Sequence, residues 1–124
     1  PPAWGLGIPL NESRRGAAPL VIWEGSHHSM RRAFAAAFEG LSPEDWADVD
    51  VTDAYTAARA EVFETCPRVT VSAKPGEAYL MHRLCLHGVA PWAEGARAPE
   101  EGRMIAYFRP EMADWTDPAR GWLT

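Results

Sequence analysis

Two stretches constrain this chain more than any others: Gly76-Glu77-Ala78-Tyr79-Leu80-Met81-His82-Arg83-Leu84-Cys85-Leu86-His87-Gly88-Val89 and, beyond it, Arg103-Met104-Ile105-Ala106-Tyr107-Phe108. A Pro75-Gly76 turn opens a run rich in strand-forming residues that carries two histidines, His82 and His87. After an acidic, glycine-containing insert, Arg103 opens a second alternating run, the pattern of a half-buried strand. Histidine and then arginine on neighbouring strands suit a site where one side chain holds a metal and the other holds a carboxylate. A metal site needs more ligands than this stretch offers.

At 124 residues the chain has room for one domain with a real core. Hydrophobic residues make up 47% and charged residues 23%, which is ordinary for a folded protein and argues against wholesale disorder. A net charge of −5 argues against nucleic-acid and anionic-membrane binding, both of which want a basic face, so no nucleic-acid and no membrane partner is expected. No apolar run approaches the roughly 18 residues of a membrane-spanning helix. Cys66 and Cys85 cannot build a disulfide framework and read as buried thiols, which points to a reducing, cytoplasmic setting. The chain opens Pro1-Pro2-Ala3-Trp4, and Trp4 to Leu10 alternates as though already inside a sheet. These residues are therefore expected to belong to a longer polypeptide.

The remaining elements follow from periodicity and punctuation. Strands are expected at Trp4 to Leu10, Pro19 to Trp23, Arg68 to Ser72, Glu77 to Met81, Leu84 to Leu86 and Arg103 to Arg109. Met30, Phe34, Ala37, Phe38 and Leu41 fall at helical spacing, with Ser26 or Ser29 available as a cap and Gly40 as a stop. Ser42-Pro43-Glu44-Asp45 reads as another helix start, and a further helix is expected from Asp53 to Glu64, with Tyr55, Ala58 and Val62 on one face. Residues 30–64 thus form a helical insert between strands. Trp115 and Trp122 sit among turn residues and read as packed irregular structure. Strands, then helices, then strands suit a mainly β, helix-decorated antiparallel barrel or sandwich rather than alternating βαβ units.

Gly25-Ser26-His27 after a short apolar strand, Gly76-Glu77 opening a strand, His82 and His87 with Gly88 behind, and Arg103 opening the next strand together resemble the C-terminal half of the phytanoyl-CoA dioxygenase family. The likeness runs from about Trp4 to Phe108. It implies a double-stranded β-helix (cupin-like jelly roll) and an Fe(II)- and 2-oxoglutarate-dependent dioxygenase that hydroxylates a small organic or acyl substrate. It further implies that His87 donates a neutral imidazole to iron and that Arg103 grips the far carboxylate of 2-oxoglutarate through its planar fork. His82 matches a position that is often a supporting histidine in the family.

The chain departs from that pattern in two ways. The family's other two ligands come from a His-x-Asp or His-x-Glu motif, and none of His27, His28, His82 and His87 has a carboxylate two residues on. One of the three expected ligands is therefore present. The interval from His87 to Arg103 is also longer than usual, holding residues 93–102, so Arg97 rivals Arg103 for the carboxylate. Other candidates read more plainly as scaffold: His27 and His28 as a helix start and a surface residue, Arg31 and Arg32 as a solvated face, and Trp23 and Trp92 as core or rim packing. Asp45, Asp48, Asp50 and Asp53 lack the glycine and distal glutamate of a calcium loop and read as helix caps and linker. Two further function classes stand beside the oxygenase: a cupin-like binding module without a metal, and a dimerisation domain. A β-helix lacking early strands would expose a sheet edge, through which a homodimer is expected.

Overall fold

The computed structural model describes residues 2–13 and 16–114. In chain order the described elements are β1 (Trp4–Pro9), β2 (Leu20–Trp23), α1 (Ser26–Ala37), a 3-10 helix (Pro43–Asp48), α2 (Thr52–Thr65), β3 (Arg68–Val71), β4 (Tyr79–His82), β5 (His87–Val89) and β6 (Ile105–Phe108). The strands form two small antiparallel sheets, ordered β4-β1-β6 and β3-β2-β5. The antiparallel β character and the helical segment between strands agree with the sequence reading. No helix among the described residues is long and apolar enough to cross a membrane.

β1 takes the centre of its sheet because Trp4, Leu6 and Ile8 alternate with Gly5, Gly7 and Pro9, so each face carries one kind of residue. Gly5 is opposite Met81, and Gly7 lies between Tyr79 on one side and Tyr107 on the other. In the second sheet, β2 pairs Leu20 with Val71 and Val89, and Ile22 with Val69 and His87.

The helices carry their own apolar core. Met30, Phe34, Phe38 and Ala58 cluster with Leu84, and the Phe38 and Trp46 rings stack with centroids 4.8 Å apart. Val62 of α2 is fully buried. Arg32 of α1 meets Glu61 of α2 at 3.1 Å on the surface, a pair worth at most about 1 kcal/mol. Trp23 packs its ring 4.7 Å from Phe63, which ties β2 to α2 and bears out the packing reading of that tryptophan.

Several boundaries differ from expectation for physical reasons. α1 starts at Ser26, four residues before Met30, and its N-cap is Gly25 in the left-handed region at φ 79°. Ser26 is no cap: its hydroxyl is buried and accepts the Leu86 N–H at 2.8 Å. The expected strand at Leu84 to Leu86 is a turn instead, closed by Cys85 N–H donating to the His82 carbonyl at 2.9 Å. Leu84 supplies side chain to the helical core from that turn, so its apolar character serves the helices rather than a sheet. β5 consequently begins at His87, and β6 begins at Ile105 rather than at Arg103. Trp115 and Trp122 lie outside the described residues.

Candidate anion-binding cleft between the sheets

Both sheets turn residues toward a pair of adjoining clefts. The first, about 200 Å³, is lined by Pro9 and Ile105 from one sheet, Leu20 and Val71 from the other, and the polar groups Asn11, Lys74, Tyr79 and Arg103. Among its described lining residues there are two cations and no carboxylate. An apolar wall with convergent donors of one sign is what a small anion requires.

Arg103 reaches this cleft half-buried, from the segment just before β6. That segment is not held by a strand ladder but by one side chain. Asn11 donates from Nδ2 to the Gly102 carbonyl at 2.7 Å and accepts the Met104 N–H on Oδ1 at 3.0 Å, bracketing Arg103 on both sides. Leu10 N–H adds a bond to the Met104 carbonyl at 3.0 Å. A clamp of this kind fixes the direction in which an arginine leaves the backbone. Arg97 does not line the cleft.

A cross-strand row adjoins the same region. Tyr79, Gly7 and Tyr107 are register neighbours on β4, β1 and β6, and the Tyr79 hydroxyl donates to that of Tyr107 at 3.3 Å. A Cβ at Gly7 would overlap the Tyr79 ring at Cζ, so the glycine is the space in which that ring lies. Burial, and then the Tyr107 hydroxyl, push the Tyr79 phenol well above its usual range, with the Arg103 charge pulling weakly the other way. Tyr79 is therefore a neutral hydroxyl at physiological pH.

The second cleft, about 270 Å³, shares Leu20, Val71 and Tyr79 with the first and adds His27, His82, Glu24 and Cys85 among others. The His27 and His82 rings lie with centroids 4.8 Å apart, and His27 and His28 with centroids 3.9 Å apart. Burial lowers the His27 pKa first, and the neighbouring His28 and Arg31 lower it further. The Cys85 thiol is raised by burial, as the buried-thiol reading expects, while Cys66 is half-buried.

His87, itself exposed, lines a third space, about 280 Å³, with Met30, Phe34, Tyr55 and Leu84, and among the described residues that space shares no lining residue with the Arg103 cleft. Register puts it opposite Ile22, a residue that lines the second cleft. The two candidate residues thus line separate cavities. The hydrogen bonds of the histidines nonetheless distinguish them. His87 Nδ1 is 2.8 Å from the Cys85 carbonyl, which can only accept, so Nδ1 carries the proton and the neutral ring presents a lone pair at Nε2. His82 has the opposite tautomer, since its Nδ1 accepts the Leu84 N–H at 3.1 Å.

Among the described residues no three histidine, cysteine, aspartate or glutamate side chains converge on a common point as a metal site would need. No protein-family model matches the chain, and no curated protein matches it.

Sequence reasoning named Arg103 and passed over Asn11, Lys74, Tyr79 and Tyr107. A signal was available: glycines at alternate positions in β1 leave one face without side chains, which invites aromatic rings from both neighbouring strands.

Proposed function

We propose that this chain is part of an Fe(II)- and 2-oxoglutarate-dependent dioxygenase on a double-stranded β-helix, acting on a small organic or acyl substrate. Within it, the chain supplies the clamp for the cosubstrate's far carboxylate. The observation that carries the reading is the position of Arg103: half-buried in a cleft between two antiparallel sheets, bracketed by Asn11, with Lys74 beside it and no acidic side chain among the described lining residues. A bidentate guanidinium in a partly apolar cleft selects a carboxylate over water far better than an exposed one does.

The chain's own residues divide the binding work. Arg103 supplies charge and a planar fork, Lys74 a second cation at the rim, and Tyr79 a neutral hydroxyl. Leu20, Val71 and Ile105 exclude water from the apolar middle of a short diacid. The family resemblance alone gives His87 the role of metal-bound imidazole; the residue is exposed and lines a cavity separate from the Arg103 cleft, which counts against one short diacid touching both. Bound iron would supply the oxidising chemistry. The residues present do not complete a ligand set for it, so two further ligands would come from outside this sequence, and no step is derived through the metal.

That incomplete set favours a second reading, a cupin-like carboxylate-binding module with no metal. A homodimer through an edge strand, β3 or β5 in one sheet or β4 or β6 in the other, is compatible with both.

Calorimetric titration with 2-oxoglutarate tests the clamp. Arg103→Ala is expected to weaken binding by about 10- to 100-fold, the loss of charge-assisted hydrogen bonds worth about 1.5–3 kcal/mol, with Arg103→Lys recovering part of it. Equal affinity in wild type and Arg103→Ala would end the clamp assignment. Iron-dependent decarboxylation of 2-oxoglutarate by a longer polypeptide that includes the two further ligands, lost in His87→Ala, separates the oxygenase from the metal-free module.

A further inference from the structure

Among the described residues that line the two adjoining clefts, only Leu20, Val71 and Tyr79 belong to both. Leu20 and Val71 are a register pair on β2 and β3, whereas Tyr79 comes from β4 in the facing sheet. The partition between the clefts is therefore a tyrosine ring set against an aliphatic pair. On one side of it lie Arg103 and Lys74; on the other lie His27, His82 and Met81.

The tyrosine has few ways to move. Its ring occupies the space that Gly7 leaves by having no Cβ, and its hydroxyl is anchored to Tyr107 across β1. Ring and hydroxyl are fixed from two different strands, which is the kind of support a partition needs if it is to discriminate by size. The compartment on the Arg103 side holds about 200 Å³, and removing the ring would join it to a further space of about 270 Å³.

We propose that Tyr79 is the specificity-determining residue of this cleft: its ring ends the compartment that begins at Arg103 and so limits the bound dicarboxylate to a short carbon chain. The inference rests on the reading of the Arg103 cleft as a carboxylate site and makes no use of the metal. A diacid gripped by Arg103 at one end extends along Leu20 and Ile105 until it meets the ring. One that fits ends against the ring, whereas a longer one must bend or leave its far end in solvent. The charged and donor groups decide that an anion binds. The partition decides how long it is.

The test is a ladder of simple diacids titrated into the full chain: succinate, glutarate and 2-oxoglutarate against the longer pimelate and suberate. Because both ends of the ladder are measured on the same protein, their ratio is insensitive to how much of a variant is folded. Wild type is expected to prefer the short members. Tyr79→Ala, and Tyr79→Leu should the alanine variant not fold, are expected to shift the suberate-to-glutarate affinity ratio by about tenfold toward suberate, the scale on which apolar pockets discriminate by length. Tyr79→Phe keeps the ring and is expected to keep the short preference while losing some affinity. An unchanged ratio in both opening variants, with Arg103→Ala still weakening glutarate, would overturn the role of Tyr79 and leave the carboxylate cleft standing. Glutarate and 2-oxoglutarate affinities indifferent to Arg103→Ala would remove the carboxylate cleft, and with it this inference.

Discussion

The helical layer and the space between the sheets solve opposite problems with residues from one short chain. Around α1 and α2, Met30, Phe34, Phe38, Ala58 and Leu84 form one buried cluster and Val62 is fully buried, so side-chain volume is used to exclude everything else. Between the sheets, Gly7 of β1 leaves the space that the Tyr79 ring takes, Pro9 lines the Arg103 cleft, and room for a ligand remains. Close packing in one region makes rigid the frame from which the other can afford to be open. Leu84 to His87 joins the two, placing Leu84 in the helical core, Cys85 beside the second cleft and His87 at the start of β5.

If that division holds, damage to the packed layer should cost stability and leave ligand selection alone. Phe34→Ala removes a ring that is 7% exposed and central to the cluster. It is expected to lower unfolding free energy by about 3–5 kcal/mol in denaturant titrations, the combined effect of lost transfer energy and the cavity left behind. Dicarboxylate affinity at the Arg103 cleft, corrected for folded fraction, should change by less than about twofold, since the two sites share no partners. A large change in affinity would mean the frame and the cleft are mechanically coupled.

Asn11→Ala sharpens the comparison from the other side. Two bonds, to the Gly102 carbonyl and from the Met104 N–H, disappear together. Because the site is partly open to water, the expected loss of stability is only about 1–2 kcal/mol. Affinity for 2-oxoglutarate should fall in step with the greater freedom of Arg103, by about three- to tenfold as part of its charge-assisted bonding is lost. Unchanged affinity with reduced stability would show that Asn11 supports the loop without aiming the arginine.

The two regions also differ in how much of them could be read from the sequence. α2 was legible almost to the residue, because Ala58 and Val62 sit at helical spacing and Pro67 forbids continuation; the helix runs Thr52–Thr65. β1, β2 and β3 were legible through alternation and turn residues. The strand expected at Leu84 to Leu86 was not, since a short apolar run looks the same whether a sheet or a neighbouring helix buries it. For the site, Arg103 stood out by charge and position. The row of Tyr79, Gly7 and Tyr107 did not, because it exists only once the register of three strands, distant in sequence, is fixed. The Asn11 clamp was hidden for the same reason, joining residues 91 and 93 apart along the chain.

The smallest expected effect lies where the regions meet. His27 sits in the first turn of α1 and lines the second cleft, facing His82, Glu24 and Cys85 there, with His28 and Arg31 beside it on its own helix. Burial first, then His28 and Arg31, hold its pKa below the ordinary 6.5. In the window between the lowered folded value and the unfolded value, the unfolded chain binds more protons, so stability rises with pH. The contribution is complete above the unfolded value and is lost as pH falls through the folded one. Denaturation midpoints measured from about pH 8 down to about pH 5 should therefore decline through the acidic half of that range. His27→Gln should flatten this part of the curve while leaving the midpoint at the alkaline end nearly unchanged. A decline that survives the substitution would assign the sensitivity to another group. The helical core of Met30, Phe34, Phe38, Ala58 and Leu84, which carries no titratable side chain, would then meet the cleft at a different residue from the one its geometry indicates.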